Sequence, residues 1–136
     1  MQKLAILFIP ILLLASCQSA PITGETVTVA GGSYQNITAA ELKSMLKDKD
    51  LLLVNVHIPL GTSIPGTDLF IPYDKITGSE NVLPLPLEKD SKIVLYCRSG
   101  RMSGIAAEEL VNLGYTNVWN VSDGMLGWEQ AGFPLE

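Results

Sequence analysis

Lys92-Ile93-Val94-Leu95-Tyr96-Cys97-Arg98-Ser99-Gly100-Arg101-Met102-Ser103 is the stretch that decides how this chain folds. Its apolar half runs without polar alternation, the pattern of a strand covered on both faces, as in a parallel sheet. The run stops at Cys97. A few residues on, Ala106, Ala107, Leu110 and Leu113 repeat at helical spacing, with Glu108, Glu109 and Asn112 turned to water. Gly114 supplies the stop that a helix C-terminus favours. A strand, a tight turn and a helix in that order form the unit from which parallel sheets are built.

Outward from this unit the same grammar repeats. Leu51 to Val56 is a second unbroken apolar run, and Asn117-Val118-Trp119-Asn120-Val121 a third. Thr38-Ala39-Ala40-Glu41 has the form of a capping box. Behind it Leu42, Met45 and Leu46 share one face of a helix that reaches to about Asp48, with Lys43 and Lys47 outside. Gly124 to Ala131 reads as a short last helix with Met125 and Trp128 on one side. Residues 59–91 carry Pro59, Pro65, Pro72, Pro84 and Pro86, which excludes a long helix there, although Leu69-Phe70-Ile71 suits a short strand. Strands separated by helices predict an α/β domain with a mainly parallel sheet, in which Trp119 and Trp128 belong to the core.

The first 16 residues stand apart. Lys3 is followed by an apolar run from Leu4 to Ala15, shorter than the roughly 20 residues needed to span a bilayer. A positive start, an apolar middle and small residues at the end describe an export signal. About 120 residues remain, enough for one core. The whole chain carries a formal net charge of −5, which argues against nucleic acid as a partner. Leu14-Ala15-Ser16-Cys17 resembles the lipobox of bacterial lipoproteins. That resemblance implies that the sulfur of Cys17 carries diacylglycerol and that Cys17 becomes the mature N-terminus, a stable hold on a membrane. With Gln18 next, the expected address in a two-membrane bacterium is the outer membrane, facing the periplasm. From Gln18 to about Asn36 the chain is rich in Ser, Thr, Gly and Pro and reads as a tether, with Thr26 to Val29 available as a short edge strand.

Cys17 and Cys97 are the two cysteines. An exported chain could join them in a disulfide, but the anchor accounts for Cys17 and leaves Cys97 to chemistry. A sulfur between a strand end and a helix start lies where open α/β sheets bind ligands. For the chain to turn there, Arg98 to Met102 must curl, with Ser99-Gly100 permitting the bend, so that successive N–H groups face the sulfur. The helix start adds roughly half a positive charge. Such surroundings favour the thiolate, and Arg98 and Arg101 add donors for an oxyanion.

Tyr96-Cys97-Arg98-Ser99-Gly100, Ser103 and Ala106-Ala107-Glu108-Glu109-Leu110 resemble the active-site loop and helix of rhodanese-like domains. Gly114-Tyr115-Thr116-Asn117-Val118 and Asp123 to Trp128, then Ala131-Gly132-Phe133-Pro134, are similar to the family's closing segment. With Leu51 to Val56 and Ile64-Pro65-Gly66, the resemblance covers residues 38–136. It implies a small doubly wound domain over residues 37–136, behind a signal at 1–16 and a lipidated tether at 17–36. It also implies sulfur transfer. The Cys97 thiolate attacks the outer sulfur of a donor such as thiosulfate, Arg98 and Arg101 hold the oxyanion, and sulfite leaves. A thiophilic acceptor then takes the sulfur from a Cys97 persulfide cradled by Arg98, Ser99, Gly100, Arg101, Met102 and Ser103. The expected partners are a small sulfur-containing anion or thiol and, through Cys17, a membrane; no metal or organic cofactor is called for.

Three departures from the family pattern stand out. Met102 fills a slot that commonly holds Arg, while Arg101 precedes it. Asn55 and His57 stand where the family often has Asp and Arg. His57 is the only histidine and reads more readily as a hydrogen-bonded structural residue than as a proton carrier. A phosphatase or arsenate reductase needs an arginine six positions after its cysteine, where this chain has Ser103. The rival of another class is a relay, redox-sensing or binding module at the membrane without turnover, which persulfide formation without repeated transfer would reveal.

Overall fold

The computed structural model describes residues 21–77 and 84–136. The segment read as an export signal, the lipobox-like stretch and Cys17 lie outside the described residues. Within them, six strands form one sheet: β1 (Glu25–Val29), β2 (Gly32–Ile37), β3 (Leu52–Asn55), β4 (Leu69–Phe70), β5 (Ile93–Tyr96) and β6 (Val118–Val121), in the spatial order β1-β2-β6-β5-β3-β4. Only the β1–β2 hairpin is antiparallel; every other pairing is parallel. Three helices complete the domain: α1 (Ala39–Met45), α2 (Arg101–Asn112) and α3 (Gly124–Gln130).

The central strands match their sequence. All four residues of β5 are buried, as its unbroken apolar run requires. Side chains alternate between two cores. Val54, Val56, Ile93, Leu95 and Cys97 pack with Ala106, Ala107, Leu110 and Val111 of α2 on one face. Leu53, Val94, Tyr96 and Val121 pack with α1 and α3 on the other, where Leu42, Met45, Met125 and Trp128 are buried. The domain is therefore doubly wound. Trp128 is fully buried with its indole N–H donating to the Pro134 carbonyl, and Trp119 lies half-buried at the margin of the same core.

The capping box at α1 is present in full, with Thr38 Oγ1 accepting from Glu41 N–H and Glu41 Oε2 from Thr38 N–H. Glu41 does more than its sequence signature suggests. Its other oxygen accepts from the backbone and hydroxyl of Thr23, both at 2.9 Å, which ties the approach to β1 onto α1. Partial burial opposes ionisation, but the donors of Thr38, Thr23 and Gly24 outweigh it and pull the carboxyl down to about 2. The stability this lends is complete above the ordinary carboxylate range and is lost as pH falls through about 2.

The tether reading of residues 17–36 gives way at Glu25. β2 pairs in parallel with β6, so the sheet starts before residue 37. The polar run Ser33-Tyr34-Gln35-Asn36 hid this strand because its exposed and half-buried positions lack an apolar alternation. The pairing itself holds it, along with Asn120 Nδ2 donating to Asn36 Oδ1 at 2.9 Å.

Candidate functional site

Cys97 follows β5 at the carboxyl end of the sheet, and α2 opens at Arg101. The intervening loop is fixed by two glycines. Gly100 has φ +91°, and a side chain there would collide with the Ser122 carbonyl just after β6. Gly124 has φ +55° and lies against the carbonyls of Cys97 and Arg98. Those carbonyls accept from the first turn of α3, Met125 N–H to Cys97 O and Leu126 N–H to Arg98 O, each at 3.0 Å. With its carbonyls drawn toward α3, the loop presents its N–H groups to the sulfur instead.

The result is a ring of neutral donors. Gly100 N–H donates to Cys97 Sγ at 3.1 Å and Ser103 Oγ–H at 3.4 Å. Cys97 is only 1% exposed and belongs to the apolar core beneath α2. That burial pushes the thiol toward its neutral form. Hydrogen bonds from the Ser103 hydroxyl, and from the backbone of Ser103, Ser99 and Gly100, more than offset it and hold the thiol below its ordinary value. Burial alone would describe an inert core cysteine; the converging donors distinguish this one.

Of the residues expected around Cys97, Gly100 and Ser103 touch the sulfur, and Ser103 is fully buried. Arg98, Ser99 and Arg101 are exposed, and neither arginine has an ion pair among the described residues. Met102 is half-buried and packs against the core that contains Cys97. The role of α3 in orienting the loop escaped sequence reading. Its signal was Asp123-Gly124 immediately after a strand, since Asp123 Oδ1 also accepts from Ala39 N–H at 2.8 Å and pins the start of α3 to α1.

The end of β3 behaves differently. Asn55 is buried, accepts from His57 N–H at 3.0 Å and donates to Ser63 Oγ and the Thr62 carbonyl. The His57 ring was expected to be hydrogen-bonded, but its buried Nδ1 has no partner among the described residues. Among the described residues, no cluster of His, Cys, Asp or Glu is arranged to hold a metal ion.

Residues 38–131 match the model of the rhodanese-like domain family. A curated relative from Allochromatium vinosum, named a sulfurtransferase, is 33% identical over 103 residues, 73% of this chain and 92% of that protein. An uncharacterised Synechocystis protein is 31% identical over 112 residues, 78% of this chain but 59% of its own length. Among solved structures, a rhodanese-related protein from Thermoplasma volcanium superposes with a TM-score of 0.60 at 28% identity, over 74% of this chain and 96% of that one. A mainly parallel sheet wound on both faces, a cysteine loop between β5 and its helix, and the family match over most of the chain lead to one conclusion: this protein belongs to the rhodanese-like domain family.

Proposed function

We propose that this protein is a sulfurtransferase that carries sulfane sulfur on Cys97. The observation that carries this reading is a buried sulfur receiving Gly100 N–H and Ser103 O–H at 3.1 and 3.4 Å. Such a sulfur is held ready as an anion without a neighbouring base. The Cys97 thiolate attacks the outer sulfur of a donor, of which thiosulfate is the simplest. The new bond joins Sγ to that sulfur, and the donor's own sulfur–sulfur bond breaks. The electron pair departs with the leaving group, sulfite in the case of thiosulfate. The N–H groups that favoured the thiolate also suit the terminal sulfur of the resulting persulfide. A thiophilic acceptor, cyanide in an assay or a thiol in the cell, removes it and restores Cys97. Arg98 and Arg101 at the mouth attract anionic donors from solution.

The resemblance of Leu14-Ala15-Ser16-Cys17 to a lipobox supports a working place at the cell envelope, anchored through Cys17. Incubation with thiosulfate followed by intact-protein mass spectrometry tests the chemistry. The expected outcome is addition of one sulfur atom at Cys97, its loss on adding cyanide, and repeated turnover. The Cys97→Ser variant folds with an unchanged circular dichroism spectrum and transfers nothing. Sulfur transfer retained by that variant refutes the mechanism, and loading without turnover converts the enzyme into a relay.

A further inference from the structure

Chain topology brings two separate features to one end of the sheet. β1 runs antiparallel to β2, so its first residue, Glu25, lies in the row Asn36–Asn120–Leu95, just short of Cys97. The chain therefore enters the domain at the carboxyl end of the parallel strands, the end that bears the Cys97 loop. Thr23 fastens it there, its N–H and hydroxyl donating to Glu41 Oε1 at the start of α1. From Cys17 to Thr23 a fully extended chain reaches at most about 20 Å. A domain of about 100 residues has a radius of gyration of about 13 Å, so this tether is shorter than the domain is wide. An anchor at Cys17 thus cannot turn the opposite end of the sheet to the membrane.

The exposed apolar side chains gather at the same end. Among the described residues the large ones are Ile22, Leu60, Phe70, Leu87, Ile105 and Leu126. Ile22 adjoins Thr23. Leu60 is 52% exposed in a loop that the Asn55 side chain closes, accepting from His57 N–H and donating to the Thr62 carbonyl, so the loop projects past the end of β3. Phe70 is the last residue of β4, and Leu126 N–H is bonded to the Arg98 carbonyl. Ile105 lies farther along α2, and only Leu87, 62% exposed ahead of β5, belongs to the opposite end. Exposed apolar residues scattered singly need no explanation, but four ranged along one end of a sheet beside a tether do. Charges at this end are of both signs, Arg98, Arg101 and Lys75 with Glu25, Asp74 and Glu136, so the apolar groups rather than net charge supply the attraction to a surface.

We infer that this end of the sheet docks on the bilayer that holds Cys17, with Ile22, Leu60, Phe70 and Leu126 in the headgroup layer and the Cys97 loop kept close to it. The inference rests on the anchor reading of Cys17 and is independent of the sulfur chemistry. From free solution, four side chains hold a lipid surface weakly. On a short tether the same contact is intramolecular, and a weak apolar contact is enough to fix the orientation of the domain.

Quenching by brominated phosphatidylcholine tests this, with the full lipidated chain isolated from the membranes of an expressing bacterium and reconstituted into phosphatidylcholine vesicles. Leu60→Trp introduces an indole at the docking face and Leu87→Trp one at the opposite end, each read against the emission of Trp119 and Trp128 in the unaltered chain. The indole at position 60 is expected to lose at least about half of its emission to the brominated lipid, and the one at position 87 to keep its own. Should Leu60→Trp disturb its loop, Phe70→Trp, a gentler change at another strand end, gives the same loss. Equal quenching at the two ends, or none at either, in a chain that stays on the vesicles overturns the docking and leaves the anchor standing. Crosslinked dimers with position 60 unquenched do the same and assign the face to a second copy. A Cys17 found by mass spectrometry to carry no diacylglycerol removes the anchor and the docking together.

Discussion

The ends of β3 and β5 lie side by side, with Asn55 opposite Tyr96 and Val56 N–H bonded to the Tyr96 carbonyl at 2.9 Å, yet they use their polar groups in opposite ways. After β5, donors from Gly100 and Ser103 converge on one atom that follows the strand. After β3, Asn55 grips His57 N–H, the Thr62 carbonyl and Ser63 Oγ. Its hydrogen bonds hold a loop in place and point at no vacant centre. Tyr96 helps from the β5 side, its hydroxyl accepting from Ile64 N–H at 3.0 Å and bonded to Thr67 Oγ1. One strand end aims its donors at a single sulfur, and its neighbour is a brace. Two adjacent ends of one parallel sheet therefore differ in function because of where their local donors and acceptors are aimed.

The comparison can be broken most forcefully at Gly100. Gly100→Ala places a side chain at φ +91° against the Ser122 carbonyl. It is expected to cost about 3 kcal/mol in denaturant unfolding and to abolish rapid alkylation of Cys97. Unchanged alkylation would mean that the loop curls without a glycine. At the brace, Asn55→Ala deprives His57 N–H, the Thr62 carbonyl and Ser63 Oγ, which are half-buried or exposed, of a partner at once. The expected loss is about 2 kcal/mol, with the pH profile of Cys97 alkylation where it was. A profile that moves would show the two ends to be coupled.

Ser103→Ala sharpens the β5 side. The folded thiol sits below its ordinary value, and the Ser103 hydroxyl is the foremost group opposing burial. Ionisation therefore adds stability that is complete above the unfolded thiol's value and is lost as pH falls through the folded midpoint. Without the hydroxyl that midpoint rises, and alkylation by iodoacetamide near neutral pH slows about fivefold, for about 1 kcal/mol of lost thiolate stabilisation. A midpoint that stays or falls contradicts the assignment of that hydrogen bond. The smallest effect is expected at His57, whose Nδ1 is already unpartnered. His57→Leu should change unfolding free energy by less than about 0.5 kcal/mol. A larger loss would reveal a partner for the ring that bears on the β3 brace.

Much of this architecture is written locally. The unbroken apolar runs at 51–56, 92–96 and 117–121 place the three central strands within a residue or so of β3, β5 and β6. Burial on both faces leaves no room for polar alternation. The capping box marks the start of α1, and Cys97 at a strand end before a helical stripe locates the candidate site. These features are legible because each is a property of consecutive residues obeying one period. Only the folded chain decided the rest. β2 depends on pairing with β6 across a long stretch of sequence, and its polar residues carry no period of their own. The orientation of the Cys97 loop depends on α3, whose first N–H groups take the Cys97 and Arg98 carbonyls. The balance at the sulfur, burial against donors, likewise exists only once Ser103, Gly100 and the core beneath α2 have come together. Sequence sets which groups are available; the aim of a hydrogen bond and the dryness of a site arise from packing between elements distant in the chain.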